Sequence, residues 1–130
     1  MPDMEKKKII YTIIFIIIGI GLAVFLSMYQ SKGSGKYDEL AQCVKDSGAK
    51  FYGAFWCPHC ADQKRIFGQS AKLLPYIECS NPDRSQNQTC VDAKITGYPT
   101  WEFADGTRRV ETIEPEKLAE LTQCSLPATE

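Results

Sequence analysis

The sequence predicts an α/β domain, a mixed four-stranded sheet with flanking helices, preceded by one transmembrane helix. Three observations predict it. A 21-residue run without charge lies near the N-terminus, helix and strand patterns alternate through the last 94 residues, and two cysteines two residues apart stand where a strand gives way to a helix. A chain of 130 residues has room for one small domain and a short appendage. Its 15 Lys and Arg against 16 Asp and Glu exclude the basic surplus that nucleic-acid binding requires. Six cysteines beside a single His mark a redox, disulfide or metal protein. The mean hydropathy of −0.24 is that of a soluble protein, but the apolar residues are unevenly placed.

The uncharged run extends from Ile9 to Tyr29. At about 1.5 Å per helical residue it reaches roughly 30 Å, the hydrocarbon thickness of a bilayer. In lipid the backbone must satisfy its own hydrogen bonds, so a lone span is helical despite the β-branched tract Ile16-Ile17-Ile18. A cleaved signal peptide is the competing reading. The run exceeds the usual apolar length of such a peptide, and Ser27-Met28-Tyr29-Gln30 offers no Ala-x-Ala site, which favours an uncleaved anchor. Lys6, Lys7 and Lys8 favour a cytoplasmic N-terminus over residues 1–8, although Lys32 and Lys36 weaken the bias. Residues 9–29 are then the anchor, 30–36 a Gly/Ser-rich tether, and 37–130 the domain.

Tyr37, Leu40, Ala41 and Val44 have the spacing of a helix with one buried face, ended by Ser47-Gly48. Phe51 to Trp56 reads as a buried strand. Cys57-Pro58 opens a helix, since Pro suits the first turn, with Cys60, Lys64 and Phe67 on one side. A second strand is predicted over 73–79, turn chemistry at Ser80 to Asp83, and a short helix over 90–94. Strands at 99–103 and 108–111 flank Asp105-Gly106, a hairpin signal, and Pro115 starts a last helix with Leu118 and Leu121 inward. The first two strands, joined through a helix, are expected to be parallel, and the last two antiparallel.

Trp56-Cys57-Pro58-His59-Cys60 carries the chemistry. Two cysteines at this spacing can close a small disulfide loop. At a helix start the free N–H groups and the dipole favour a negative sulfur, and a protonated His59 adds to both. Cys57 is therefore the expected nucleophile, and Cys60, further into the helix, the more buried resolving thiol. Favouring the reduced thiolate also makes the disulfide a better oxidant. About forty residues later, Thr96-Gly97-Tyr98-Pro99-Thr100 places a candidate cis proline at a strand start, leaving neighbouring backbone groups free to pair with an extended substrate. Half a zinc site is the duller reading of Cys57 and Cys60. The second close pair that zinc needs is missing, so no metal and no cofactor is expected. Trp56 reads as part core and part cover over the disulfide, and Tyr98 more as packing than as recognition. Asn87-Gln88-Thr89 matches a glycosylation acceptor, and Arg108-Arg109 reads as a solvated strand edge.

The element order, Trp-Cys-x-x-Cys after a strand and Gly97-Tyr98-Pro99-Thr100 resemble the thioredoxin superfamily. Pro58-His59 resembles the dipeptide of strongly oxidising DsbA-type enzymes. Phe51 to Cys60, Tyr76-Ile77-Glu78-Cys79 and Thr96 to Trp101 resemble the thioredoxin-like domain fused to bacterial and plant homologues of vitamin K epoxide reductase, a similarity covering nearly all of 37–124. The resemblance implies a thiol–disulfide oxidoreductase with Cys57, Pro58, His59 and Cys60 at its centre. It also implies substrate contacts at Trp56, Tyr98 and Pro99. Electrons from protein substrates with free thiols would pass to a separate membrane partner of the vitamin K epoxide reductase or DsbB type. Many relatives carry a buried carboxylate six residues before the nucleophile. Phe51 stands there in this chain, which leaves water or Glu78 to move protons.

The same fold analogy pairs Cys79 with Cys90 and Cys43 with Cys124, worth about 3 and 4.5 kcal/mol as upper values on the loop-entropy model. Four cysteines permit three pairings. Such bonds imply an oxidising compartment, hence an extracytoplasmic or periplasmic domain and a single-pass inner-membrane protein. The expected function is oxidation of extracytoplasmic protein thiols. The alternatives are a thiol reductase of the cytochrome-maturation type and a non-catalytic, chaperone-like binding module.

Overall fold

A computed structural model describes residues 2–30 and 35–128. The chain divides into two compact units, Met1–Gly33 and Ser34–Glu130. The first contains helix α1 (Pro2–Gln30), longer than the apolar run because the helix continues back through Lys8, Lys7 and Lys6. Its isoleucines are exposed all round, with no polar face to turn to water. By length and composition α1 is able to cross a membrane, a character that an N-terminal signal sequence shares. Residues 31–34 of the predicted tether lie outside the described residues. The flanking ones depart from it: Gln30 belongs to α1, and Gly35 donates its N–H to Asp38 Oδ2 at 2.9 Å and packs against Ser70.

The second unit is a four-stranded sheet with helices on both faces. Its elements are α2 (Asp38–Asp46), β1 (Lys50–Gly53), α3 (Pro58–Phe67), a 3-10 helix (Gly68–Leu73), β2 (Tyr76–Glu78), α4 (Gln88–Asp92), β3 (Thr100–Glu102), β4 (Arg108–Arg109) and α5 (Pro115–Thr122). The strand order is β2-β1-β3-β4. β1 runs parallel to β2, with Phe51 opposite Tyr76, and antiparallel to β3, with Phe51 opposite Trp101. β3 and β4 form the expected hairpin, turned at Gly106, whose φ of +83° suits a residue without Cβ.

Alternation along β1 divides the core. Phe51 joins Leu40 and Val44 of α2, Phe67 of α3 and Leu118 of α5. It stacks on Trp101 with ring centroids 4.8 Å apart. Tyr52 faces the other way, with Cys79, Cys90 and Ile95. Each large side chain buried in this way contributes about 1.5–3 kcal/mol. A polar clasp runs through the larger cluster. The buried Gln63 of α3 accepts from Trp101 Nε1 at 3.1 Å and from Ile113 N at 2.7 Å, and donates to Ile113 O at 2.9 Å. Removing it strands two buried N–H groups, so Gln63→Ala is expected to cost about 2–4 kcal/mol in urea unfolding. A loss below about 1 kcal/mol would show that the clasp is dispensable.

Several element boundaries differ from those predicted. β1 starts at Lys50, one residue before the predicted strand, and stops at Gly53 because the chain turns there, with Cys57 N donating to Ala54 O at 3.0 Å. β2 starts only at Tyr76, since Gly68–Leu73 is helical. α4 starts earlier because Asn87 caps it, accepting from Cys90 N at 3.2 Å. β4 is short, as the chain leaves the sheet to bring Ile113 to Gln63. Charge runs across the sheet to its edge strand β4: Glu102 of β3 pairs with Lys50 of β1 at 3.0 Å and with Arg108 of β4. The Lys50 hydrogen bond holds the Glu102 carboxyl below its ordinary range, and the reverse contact raises the Lys50 ammonium. Charge on a sheet edge resists pairing with another chain.

Candidate functional site

Cys57 is the residue before the first turn of α3. Its extended backbone (φ −80°, ψ 121°) places it at the helix mouth, and Pro58 occupies the first helical position, where a missing N–H costs nothing. Among the described residues Cys57 and Cys60 are the two free cysteines, 6% and 1% exposed. Cys60 lies one turn inside the core and Cys57 meets the surface beside the loop before β3. That loop holds the cis Tyr98–Pro99 bond, and Cys57 Sγ donates to Tyr98 O at 3.6 Å.

Trp56 sits over the same spot, 41% exposed, edge-on to Tyr98 with centroids 6.0 Å apart. Its indole N–H donates to Ser80 Oγ at 2.8 Å, and Phe55 beside it is 57% exposed. Tyr98 Oη accepts from Gln86 Nε2 at 3.0 Å, so its hydroxyl is engaged. The structure therefore brings Trp56, Cys57, Cys60, Tyr98 and Pro99 together, although the two halves lie forty residues apart in the chain. His59 is placed differently. Its ring is largely exposed and stands 4.0 Å from Asp62, on the outer side of α3.

A second group of residues holds the loop from behind, and of it only Glu78 is a candidate from the sequence. Glu78 Oε1 accepts from Phe55 N at 3.1 Å and from Ser80 N at 2.9 Å, while Oε2 accepts from Tyr76 Oη at 2.7 Å. Glu78 thus fixes the backbone just before Trp56 and Cys57. Ser80 reads only as turn chemistry and Tyr76 only as part of a resembling segment, because nothing in their spacing relates them to Cys57. Phe51 is fully buried and packs edge-on against Tyr76. Asn87 Nδ2 donates to Glu78 O at 2.7 Å, so the predicted glycosylation acceptor has its amide nitrogen committed to the fold.

Disulfides join Cys79 to Cys90 and Cys43 to Cys124. The first closes the loop that carries Ser80. The described residues include no cluster of His, Cys, Asp and Glu able to hold a metal ion.

Burial is the largest influence on Cys60 and pushes its thiol up to about 12. Folding therefore favours the neutral thiol. Below the unfolded value of about 8.5 both states keep the proton and the stabilisation is complete. Above it the unfolded chain releases a proton that the native state retains, so stability falls until the folded value is passed. Between pH 8 and 10 the reduced domain should lose about 2 kcal/mol through this group. Reduced Cys60→Ala protein should lack that component, as urea midpoints at the two pH values would show.

No family model matches the chain. It is 43% identical over 113 residues to the thiol-disulfide oxidoreductase LTO1 of Arabidopsis thaliana, covering 82% of this chain and 30% of that protein. It is 30% identical over 96 residues to a thioredoxin domain-containing protein 5 homolog of Drosophila melanogaster, covering 65% of this chain and 22% of that one. Fold and relatives together support the thioredoxin superfamily. The first relative's name further supports an oxidoreductase. The chain spans less than a third of the length of either relative, so the likeness concerns a domain of each.

Proposed function

We propose that the chain is a membrane-anchored thiol–disulfide oxidoreductase that oxidises protein thiols outside the cytoplasm. The observation that carries this reading is Cys57 Sγ at the mouth of α3, barely exposed and beside Tyr98 O, with Cys60 buried behind it. In the oxidised form a substrate thiolate attacks Cys57 Sγ. The Cys57–Cys60 bond breaks, and its electron pair leaves on Cys60. A second substrate thiolate then attacks its own sulfur in the mixed disulfide and releases Cys57. One disulfide has formed in the substrate and one dithiol in the enzyme. Trp56, Tyr98 and Pro99 border the position the substrate chain would take, and His59 adds positive charge near the helix start when protonated. Helix α1 supports anchoring, and the two disulfides away from the site support an oxidising compartment. Reoxidation would fall to a separate membrane protein of the vitamin K epoxide reductase or DsbB type.

The test is the equilibrium of Cys57–Cys60 against glutathione. An oxidant should lie at roughly −120 to −180 mV. A value near about −270 mV would make the chain a reductase. Failure of the pair to exchange at all would end the oxidoreductase reading.

A further inference from the structure

We propose that Lys64 is the cation that stabilises Cys60 as it leaves the disulfide, and that Tyr76 is the positioning residue that aims it. This rests on the thiol–disulfide reading above and adds to it two residues outside the Cys57–Cys60 motif. Lys64 follows Cys60 by four positions in α3, so the two share one helix face. Its Nζ lies 3.4 Å from the centroid of the Tyr76 ring, well inside the range of a cation–π contact. That ring is fixed at its far end by the hydrogen bond to Glu78 and on one side by Phe51, with centroids 5.0 Å apart. It closes on Cys60 across Gly53. A Cβ on Gly53 would stand 2.7 Å from Tyr76 Cε2 and 2.9 Å from Cys60 Sγ, so glycine is what allows the ring and the sulfur to approach.

Chemistry requires something there. When a thiolate bonds to Cys57 Sγ, the electron pair of the broken S–S bond lands on a sulfur 1% exposed. Charge in so dry a place is costly without a partner. The groups acting on Cys60 are the Ala54 backbone, which hydrogen-bonds to it, and Cys57 and Lys64 of α3, with Tyr76 beyond Gly53 on β2; of these Lys64 alone is a cation. Lys64 is half-buried, with its ammonium held over the Tyr76 ring. The proton that finally neutralises Cys60 comes from water, which earlier took one from the incoming thiol.

The experiment uses the full chain in detergent micelles and follows reduction of the Cys57–Cys60 disulfide by dithiothreitol. Lys64→Met is expected to slow it about tenfold at pH 7, since the leaving thiolate loses its partner. The equilibrium with glutathione should stay within about twofold, because both end states hold Cys60 uncharged. Lys64→Arg should restore most of the rate. Tyr76→Leu should reproduce the loss, and Tyr76→Phe, which keeps the ring, should show much less of it. A merely structural role would move rate and equilibrium together, or unfold the chain, which near-ultraviolet circular dichroism detects. Wild-type reduction rates in Lys64→Met, or a parallel change in equilibrium, would overturn the inference. Wild-type protein that exchanges with neither reagent would overturn the functional reading first, and that failure is visible before any variant is made.

Discussion

Cys57→Ser is expected to reduce disulfide exchange with an unfolded, thiol-bearing protein to the uncatalysed level, while Cys60→Ser, offered the disulfide-bearing form of that protein, should accumulate a covalent adduct with it. The asymmetry follows from where the two sulfurs lie. Cys57 is 6% exposed at the helix mouth, within reach of another chain, and Cys60 at 1% is not. Without Cys57 there is no electrophilic sulfur to attack and no route to Cys60. Without Cys60, the Cys57 thiolate can still attack a substrate disulfide, breaking that bond and releasing one substrate thiolate, but the internal thiol that would dissolve the resulting mixed disulfide is gone. The adduct should appear as a band that vanishes with dithiothreitol on non-reducing gels. A chaperone-like binding module makes the opposite forecast, since serine barely alters the surface around Trp56, Phe55 and Tyr98. Protection of an aggregating substrate that survives Cys57→Ser undiminished, with no adduct in Cys60→Ser, would refute the enzyme in favour of the binder.

The features legible in the sequence are those set by local chemistry or by a strong period. The apolar N-terminal helix, the helix opened by Cys57-Pro58 and the Asp105-Gly106 hairpin are of this kind, because each is decided by a few neighbouring residues. Strand ends were not legible. The aromatic run Phe51 to Trp56 promises a longer strand than exists, and only the distant Glu78 shows why the backbone turns out of the sheet at Ala54. The site behaves likewise. Cys57 and Cys60 announce themselves, whereas Lys64 and Tyr76 become partners only once β2 lies parallel to β1 and Gly53 lets the ring pass. Pairing of the four other cysteines rested on resemblance, since the spacing alone leaves three choices open.

Joint replacement of Cys43 and Cys124 by alanine should cost the domain up to about 4.5 kcal/mol, a large share of what a fold this small possesses. The bond ties α2 to the segment just past α5, 81 residues away, and so closes nearly the whole domain into one loop. Cys79–Cys90 spans 11 residues and constrains the unfolded chain less, by about 3 kcal/mol. Urea unfolding of the non-reduced double variant measures the first value, and a loss under about 2 kcal/mol would refute the loop account. The functional consequence is separable. Cys43 and Cys124 lie on elements that carry none of Trp56, Cys57, Cys60, Tyr98 or Pro99, so the variant that remains folded should exchange at close to the wild-type rate. Loss of the shorter bond should do the reverse, at smaller cost in stability, because it frees the loop whose Ser80 holds the Trp56 indole. A domain that depends on its own disulfides for stability would be poorly folded in a reducing cytosol, and this dependence would restrict its thiol chemistry to the compartment where disulfides last.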